Sequence, residues 1–351
     1  MHRGDIIGGY EILKDFIVAG GMSKISFAKK GGTEYFIKEF LSPRFPVPGS
    51  PGSPATILKR KLNCEEFEKH HNKLNKEIAK TVAFGGNLVY AVNFFRANTS
   101  YYKVTEKINI TSFSTADISK LSIDKILIIM KTVTHSLKIL HDLKIVHGDL
   151  KPDNILIKKT TAGGYTTKLI DFDNSYFSSE PPKNKEEVVG TPEYYSPELA
   201  FYIKTGETEE DRRKLTIQSD IFALGVIFCE YLTGNKPIFN KKYKYTWEAV
   251  NNKEILNFKG GLKTKKLDLL IKDMLSIEYN KRPNITEVFE ILKSSDLLTE
   301  KVDSKPTITD DIPVSGLRIS KNLKVTDLAE KNEDVIKPSR GLVIKGLKPD
   351  K

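Results

Sequence analysis

Between residues 10 and 40 apolar and polar side chains alternate, and the alternation breaks at Gly20-Gly21 and Gly31-Gly32. A period of two with glycine at the breaks predicts an antiparallel meander. The next stretch, 41–56 (LSPRFPVPGSPGSPAT), is crowded with Pro, Gly and Ser. It reads as a loop or surface insertion. From Lys59 to about Val82 there is no Pro or Gly, and Phe67, His71, Leu74 and Ile78 recur at steps of three and four. That spacing predicts one long helix with a single apolar face. Two strands are expected near Leu88 to Phe95 and Tyr101 to Glu106. Helical spacing returns from Ser122 to Leu143 through Ile126, Ile129, Met130, Val133, Leu137 and Leu140. Further helices are predicted at Ser219 to Leu232, Leu267 to Leu275 and Ile285 to Leu292. A small β-rich part with one long helix, followed by a larger helical part, is an α+β arrangement.

After about Thr299 the chain turns polar, mixed in charge and poor in aromatics. Such a segment buries too little apolar surface to fold alone, so residues 299–351 are expected to form a flexible tail. Gly316-Leu317-Arg318-Ile319 and Gly341-Leu342-Val343-Ile344 form a weak repeat there, each followed by a Leu-Lys pair. The repeat reads either as a pair of short docking strands for a partner's sheet edge or as coincidence in a Lys- and Leu-rich tail.

Composition narrows the class. Of 351 residues 39% are hydrophobic and 29% charged, as in an ordinary globular protein. The net charge of +11 allows anionic partners, but the clusters Lys59-Arg60-Lys61, Lys241-Lys242 and Lys263 to Lys266 carry no nucleic-acid motif. They read as a solvated lysine surface, and neither nucleic acid nor membrane is an expected partner. Two cysteines, Cys64 and Cys229, give no zinc spacing and no disulfide framework. Met1 to Asp5 lacks the apolar stretch of a signal peptide, and no apolar run approaches the ~18 residues of a membrane span. A cytosolic location is expected.

The chemistry is concentrated in three segments: His147-Gly148-Asp149-Leu150-Lys151-Pro152-Asp153-Asn154-Ile155-Leu156, then Leu169-Ile170-Asp171-Phe172-Asp173, then Gly190-Thr191-Pro192-Glu193-Tyr194-Tyr195-Ser196-Pro197-Glu198. In this order and at these separations they resemble the eukaryotic-type Ser/Thr protein kinase family, with a bacterial-like stamp. The resemblance implies a bilobal kinase domain over residues 9–298, with a first lobe of about 9–106 and a second of about 109–298. It implies transfer of the γ-phosphoryl group of ATP, with Mg2+ or Mn2+, to protein Ser or Thr hydroxyls, together with autophosphorylation and signalling. A cognate phosphatase is a partner by family habit.

Phosphoryl transfer is mostly positioning and neutralisation of charge. Asn154 and Asp171 match the family's metal-binding positions, as hard oxygen ligands suit Mg2+. Asp149 matches the catalytic aspartate that orients the acceptor hydroxyl, and Lys151 the lysine that stabilises the transferred phosphate. Thr191 matches the threonine beside that aspartate. In the first lobe Tyr35-Phe36-Ile37-Lys38 resembles the strand carrying the ATP-binding lysine, and Val18-Ala19-Gly20-Gly21-Met22-Ser23-Lys24-Ile25 the phosphate-covering glycine loop. Val18, Gly20, Gly21, Ile25, Lys38, Thr105, Glu106, Ile108 and Leu156 are thus implied as nucleotide contacts. Lys38 needs a carboxylate from the following helix; Glu77 is the favoured candidate and Glu68 the alternative. The two lie about half a turn apart, so one face cannot present both. Glu198 and Arg282 match a buried ion pair, and Asp220 a brace for the catalytic loop.

Four departures stand out. Gly148 replaces the arginine that usually precedes the catalytic aspartate, which argues against control by an activation-loop phosphate, although Ser175, Ser178 and Ser179 offer acceptors. Asp173 replaces the glycine of Asp-Phe-Gly and suggests a surface or capping role, or an extra metal contact. Phe36 stands where alanine usually caps adenine, and Val18 and Ser23 occupy glycine positions of the phosphate loop. Two rivals therefore stay open. One is a pseudokinase scaffold. The other is a small-molecule kinase like the antibiotic phosphotransferases, which share the His-Gly-Asp-Leu stretch but usually lack the Thr-Pro-Glu-Tyr element.

Overall fold

In the computed structural model, residues 1–19, 23–81, 87–108, 113–161, 163–206 and 208–298 are described. The tail repeat and the Gly20-Gly21 pair therefore lie outside the described residues.

The first lobe is a curled antiparallel sheet. Its strands are β1 (Ile6–Ile7), β2 (Tyr10–Ile12), β3 (Ile17–Ala19), β4 (Ser23–Lys30) and β5 (Thr33–Phe40). They are followed by α1 (Pro54–Ala79), β6 (Ala91–Ala97) and β7 (Ser100–Glu106). The spatial order is β1-β2-β4-β5-β7-β6, with β3 folded back onto β4. Register matters most where β5 meets β7: Lys38 stands opposite Lys103 and Phe36 opposite Thr105. The helix α1 starts earlier than its apolar spacing suggests. Ser53 caps it by accepting from the Thr56 amide, and Pro54 sits in the first turn, where no amide donor is needed. Its anchoring begins at Cys64: Cys64, His71, Leu74 and Ile78 are buried, whereas Leu58 and Leu62 in the first turns are exposed. Cys64 is buried with Phe40 and Tyr101.

The second lobe begins with α2 (Thr115–Ile118) and α3 (Ile123–Asp142). The six apolar residues that predict α3 are all buried. Next come β8 (Ile145–Val146), β9 (Ile155–Lys159), β10 (Tyr165–Leu169) and β11 (Tyr176–Phe177). Strands β9 and β10 pair with each other, as do β8 and β11. These short ladders present the loops that hold Asp149 and Asp171. Helices α4 (Pro197–Lys204), α5 (Glu209–Arg213), α6 (Gln218–Thr233), α7 (Thr246–Asn251), α8 (Lys265–Met274) and α9 (Ile285–Lys293) complete the lobe. α6 is buried on every side from Ser219 to Leu232 and forms the lobe's axis. It includes Cys229, a free buried thiol. Gly234 ends it in the left-handed region, φ 74°, where glycine carries no steric cost. No helix among the described residues is long and apolar enough to cross a membrane.

The lobes are joined by more than the chain. Val89 donates its amide to the Leu169 carbonyl at 2.9 Å, and Leu169 returns a bond to Asn87 at 2.8 Å. This isolated pairing fixes the strand before Asp171 against the connection between α1 and β6.

Candidate active site

A wide cleft runs between the lobes. Its lining includes Ile25, Phe36, Lys38, Lys103, Thr105, Glu106, Ile108, Asp149, Lys151, Asn154, Leu156, Asp171 and Asp173. Most of the positions singled out in the sequence thus share one hollow. Val18 is not among them. It is 58% exposed, on the outer side of the β3–β4 hairpin. Within that hairpin Ser23 donates its hydroxyl to the Ala19 carbonyl at 3.2 Å, so the residue in a usual glycine place ties the ends of β3 and β4 together.

The floor of the cleft is the loop after β8. Its backbone is held from below by Asp220 in the first turn of α6, whose carboxylate accepts the amides of His147 at 2.7 Å and Gly148 at 3.2 Å. The same carboxylate lies 3.0 Å from His141 Nε2. Held in this way, the loop turns Asp149 into the cleft. Lys151 Nζ lies 2.8 Å from Asp149 Oδ2 and donates at 2.8 Å to Thr191 Oγ1, which in turn donates to Asp149 Oδ1 at 3.0 Å. Asn154 donates its side-chain amide to the Asp149 carbonyl at 2.8 Å. Because its nitrogen is used in this way, its oxygen is the atom left for a cation. The Ile170 amide donates to the Asn154 carbonyl at 3.0 Å, which sets Asp171 beside Asn154. These hard oxygen donors fit a divalent cation such as Mg2+.

Asp171 has left-handed backbone, φ 63°, a conformation that short polar residues such as Asp tolerate better than most. It opens a single 3-10 turn, Phe172–Asn174. Phe172 packs at a tilt against His147, with ring centroids 5.2 Å apart, and His147 Nε2 lies 3.1 Å from the Ile170 carbonyl. Across the cleft, Lys38 Nζ lies 3.0 Å from Asp171 Oδ1.

Two sequence expectations need correction here. First, Glu77 does not meet Lys38. Both of its carboxylate oxygens engage Lys80, at 2.6 and 2.7 Å. Glu68 does not reach Lys38 either, because every carboxylate within 4.0 Å of that ammonium among the described residues is Asp171 or Asp173. The apolar spacing identifies the buried face of α1 correctly, but this face brings rings to the sheet. Phe67 and His71 pack on Phe40 and Phe94, at centroid distances from 4.9 to 5.9 Å.

Second, Asp173 is neither a surface nor a capping residue. Its side chain is 10% exposed, and its oxygens close on Lys38 Nζ at 2.5 Å and on Lys103 Nζ. Burial opposes its charge, but Lys103 and Lys38 outweigh that cost and hold the carboxyl well below its ordinary range. Burial likewise opposes the charge on Lys38, and Asp173 and Asp171 overcome it, raising that ammonium's pKa. Lys103 escaped the sequence reading. The one signal was a lysine in the middle of the strand run Tyr101-Tyr102-Lys103-Val104, where alternation leaves no polar face.

The other departures also have structural causes. Gly148 has φ +80°, and a Cβ there would lie 2.2 Å from the Asn174 carbonyl oxygen, so no arginine fits. Of the three serines, Ser175 is buried and donates to the His147 carbonyl at 2.8 Å. It is a structural hydroxyl, and Ser179 is the exposed one. Phe36 lines the cleft and meets Phe27 edge-on at 6.2 Å. Away from the cleft, Arg282 and Glu198 form a two-point pair at 2.8 and 2.7 Å in the lobe interior.

Comparison with known proteins fits this geometry. The family model described as "Protein kinase domain" matches residues 56–292, more than half of the 351-residue chain. The chain belongs to the protein kinase domain family. Its relatives include Serine/threonine-protein kinase A of Synechocystis, 25% identical over 201 residues, covering 56% of this chain and 36% of that protein. Another is the ovarian-specific serine/threonine-protein kinase Lok of Drosophila melanogaster, 30% identical, covering 44% of this chain and 31% of Lok. A third is PknA of Corynebacterium glutamicum, 35% identical over 115 residues, covering 32% of this chain and 22% of PknA. The chain thus spans only about a third or less of the length of these relatives.

Proposed function

We propose that the chain transfers the γ-phosphoryl group of ATP to serine or threonine hydroxyls of protein substrates. The observation that carries the reading is the closed cluster of Asp149, Lys151, Thr191 and Asn154 on the same cleft as Lys38 and Asp171. ATP with a divalent cation supplies the transferable phosphoryl group and much of the charge neutralisation when bound. Asp149 accepts the hydroxyl proton of the acceptor, because a carboxylate held by Thr191 and Lys151 faces one way only. Lys151 compensates negative charge on the transferred group, and Lys38 orients the phosphates on the other wall. Asn154 and Asp171 are the residues that would hold Mg2+ or Mn2+. Thr105, Glu106 and Ile108 lie on the strand and connection where the base would rest. Lys151 and the names of the relatives favour serine or threonine acceptors.

Autophosphorylation belongs to the same proposal, with Ser179 as an exposed acceptor beside the cleft. A cytosolic setting is supported by two buried free thiols, Cys64 and Cys229. A binding-only reading has one observation in its favour, the engagement of Lys38 by two carboxylates. One experiment separates the two readings. The purified chain is incubated with labelled Mg-ATP and a general protein substrate, and phosphosites are mapped by mass spectrometry. Label on Ser and Thr that disappears in Lys38→Met and Asp149→Asn supports transfer. Label that persists in both variants rejects these roles, and nucleotide binding without transfer in the wild type supports the binding-only reading.

A further inference from the structure

The carboxylate expected from α1 is replaced by one from another part of the fold. Lys38 and Lys103 face each other directly across β5 and β7, with side chains only 14% and 9% exposed. Two like charges at such a position repel, and burial removes the water that would screen them. A neutralising anion must lie between them, and Asp173 lies there, 2.5 Å from Lys38 Nζ and bonded to Lys103 Nζ. It sits in the turn that Asp171 opens, so its position moves with that of Asp171.

α1 faces the same strands with Phe67 and His71. Its polar contacts go to the segment after Asp173 instead. His70 Nε2 lies 2.9 Å from the Ser175 carbonyl, Lys73 pairs with Glu180 at 2.7 Å, and Glu66 accepts from Lys183 at 2.6 Å.

We infer that Asp173 is the positioning residue for Lys38, with Lys103 as the second cation that fixes Asp173. The inference rests on the phosphotransfer reading of the cleft. Its consequence is that the segment carrying Asp171, and not a carboxylate of α1, sets the nucleotide-facing lysine. Lys38 and Asp171 are therefore assembled by one turn.

The test compares the full chain with Asp173→Asn, Asp173→Glu, the double variant Asp173→Asn/Lys103→Met, Glu77→Gln and Glu68→Gln. For each, KM for ATP, KM for a peptide acceptor, kcat and the melting temperature are measured. The double variant keeps the buried charge balanced if the single one unfolds. A folded Asp173→Asn or double variant should show at least a tenfold rise in KM for ATP, with KM for the peptide within twofold of wild type. Asp173→Glu should recover part of the loss, and both glutamine variants on α1 should match wild type. A merely structural role would not separate the two KM values. A folded double variant with wild-type KM for ATP overturns the inference, as does a tenfold rise in Glu77→Gln or Glu68→Gln.

Failure of the transfer reading looks different: no transfer in the wild type, or transfer that survives Asp149→Asn. In that case the same variants are titrated with a non-hydrolysable ATP analogue and Mg2+. A tenfold weaker Kd in folded Asp173→Asn or in the double variant, with both α1 glutamine variants at the wild-type Kd, supports Asp173 as the positioning residue, and equal Kd values throughout overturn it.

Discussion

Thr191 lies 42 residues beyond Asp149 in the chain, yet its hydroxyl donates to the Asp149 carboxylate at 3.0 Å while accepting from Lys151 at 2.8 Å. One hydroxyl therefore fixes both the Asp149 carboxylate and the neighbouring Lys151 ammonium. Hydrogen bonds to charged groups contribute about 1.5–3 kcal/mol. Thr191→Ala should accordingly lower kcat by roughly ten- to a hundredfold. Thr191→Ser retains the hydroxyl and should stay within a few-fold of wild type. Steady-state kinetics check both, and equal rates for the Ala and Ser variants would remove Thr191 from the cluster.

Gly148 should resist replacement, and the reason is its Cβ position, not side-chain chemistry. A left-handed backbone costs a non-glycine residue roughly 1–2 kcal/mol. At φ +80° a Cβ would also press on the Asn174 carbonyl at 2.2 Å, and that atom is backbone. Gly148→Ala and Gly148→Arg should both lose more than about 1 kcal/mol in denaturant unfolding. An arginine variant as stable as wild type would show that the loop accepts the more usual residue after all.

The grouping of Asp149, Lys151 and Asn154 was legible in the sequence because these residues are close in the chain and the loop demands specific types. His147 to Asn154 is a single turn system, and its geometry follows from local order. The helices were legible for a similar reason: the buried stripe of α3 is written in its spacing. The anion for Lys38 was not. Helical spacing tells which face is turned inward, and on α1 that face brings the half-buried Phe67 and the buried His71 to the sheet, with Glu77 turned to Lys80. The Asp173–Lys103 pair joins residues 70 apart on different lobes, and it arises only when strand and turn are brought together. A trace existed in two compensating oddities, an acid where glycine is usual and a base inside an apolar strand.

Glu198 and Arg282 are 84 residues apart and meet in the lobe interior, where Arg282 also donates to the carbonyls of Gln218 and Ser276 at 2.8 and 2.9 Å. Removing one partner leaves a buried charge without its counterion, at a cost of about 3–5 kcal/mol. Glu198→Ala and Arg282→Ala should each lose stability on that scale in denaturant melts. The double variant should lose less than the sum, because the second substitution removes the stranded charge. Strict additivity in this double-mutant cycle would mean that the two groups do not act as a pair.

His71 makes stability depend on pH with a definite sign. It is buried against Phe94, with stacked rings 4.9 Å apart. Burial first, then the nearby Lys103, His70 and Lys38, lower its pKa well below the ordinary 6.5. Below pH 6.5 the unfolded chain therefore binds a proton at this site and the folded chain does not. Unfolding then takes up protons, so stability falls as pH drops through that window. One such proton corresponds to a slope of about 1.4 kcal/mol per pH unit while the folded site stays unprotonated. His71→Phe supplies a ring of similar size that takes no proton. Urea melts of both proteins at a series of pH values below 6.5 should show wild type steadily losing stability relative to the variant as the pH falls. Parallel stability curves would mean that His71 is protonated in the fold, against the crowding of Lys103 and Lys38 around it.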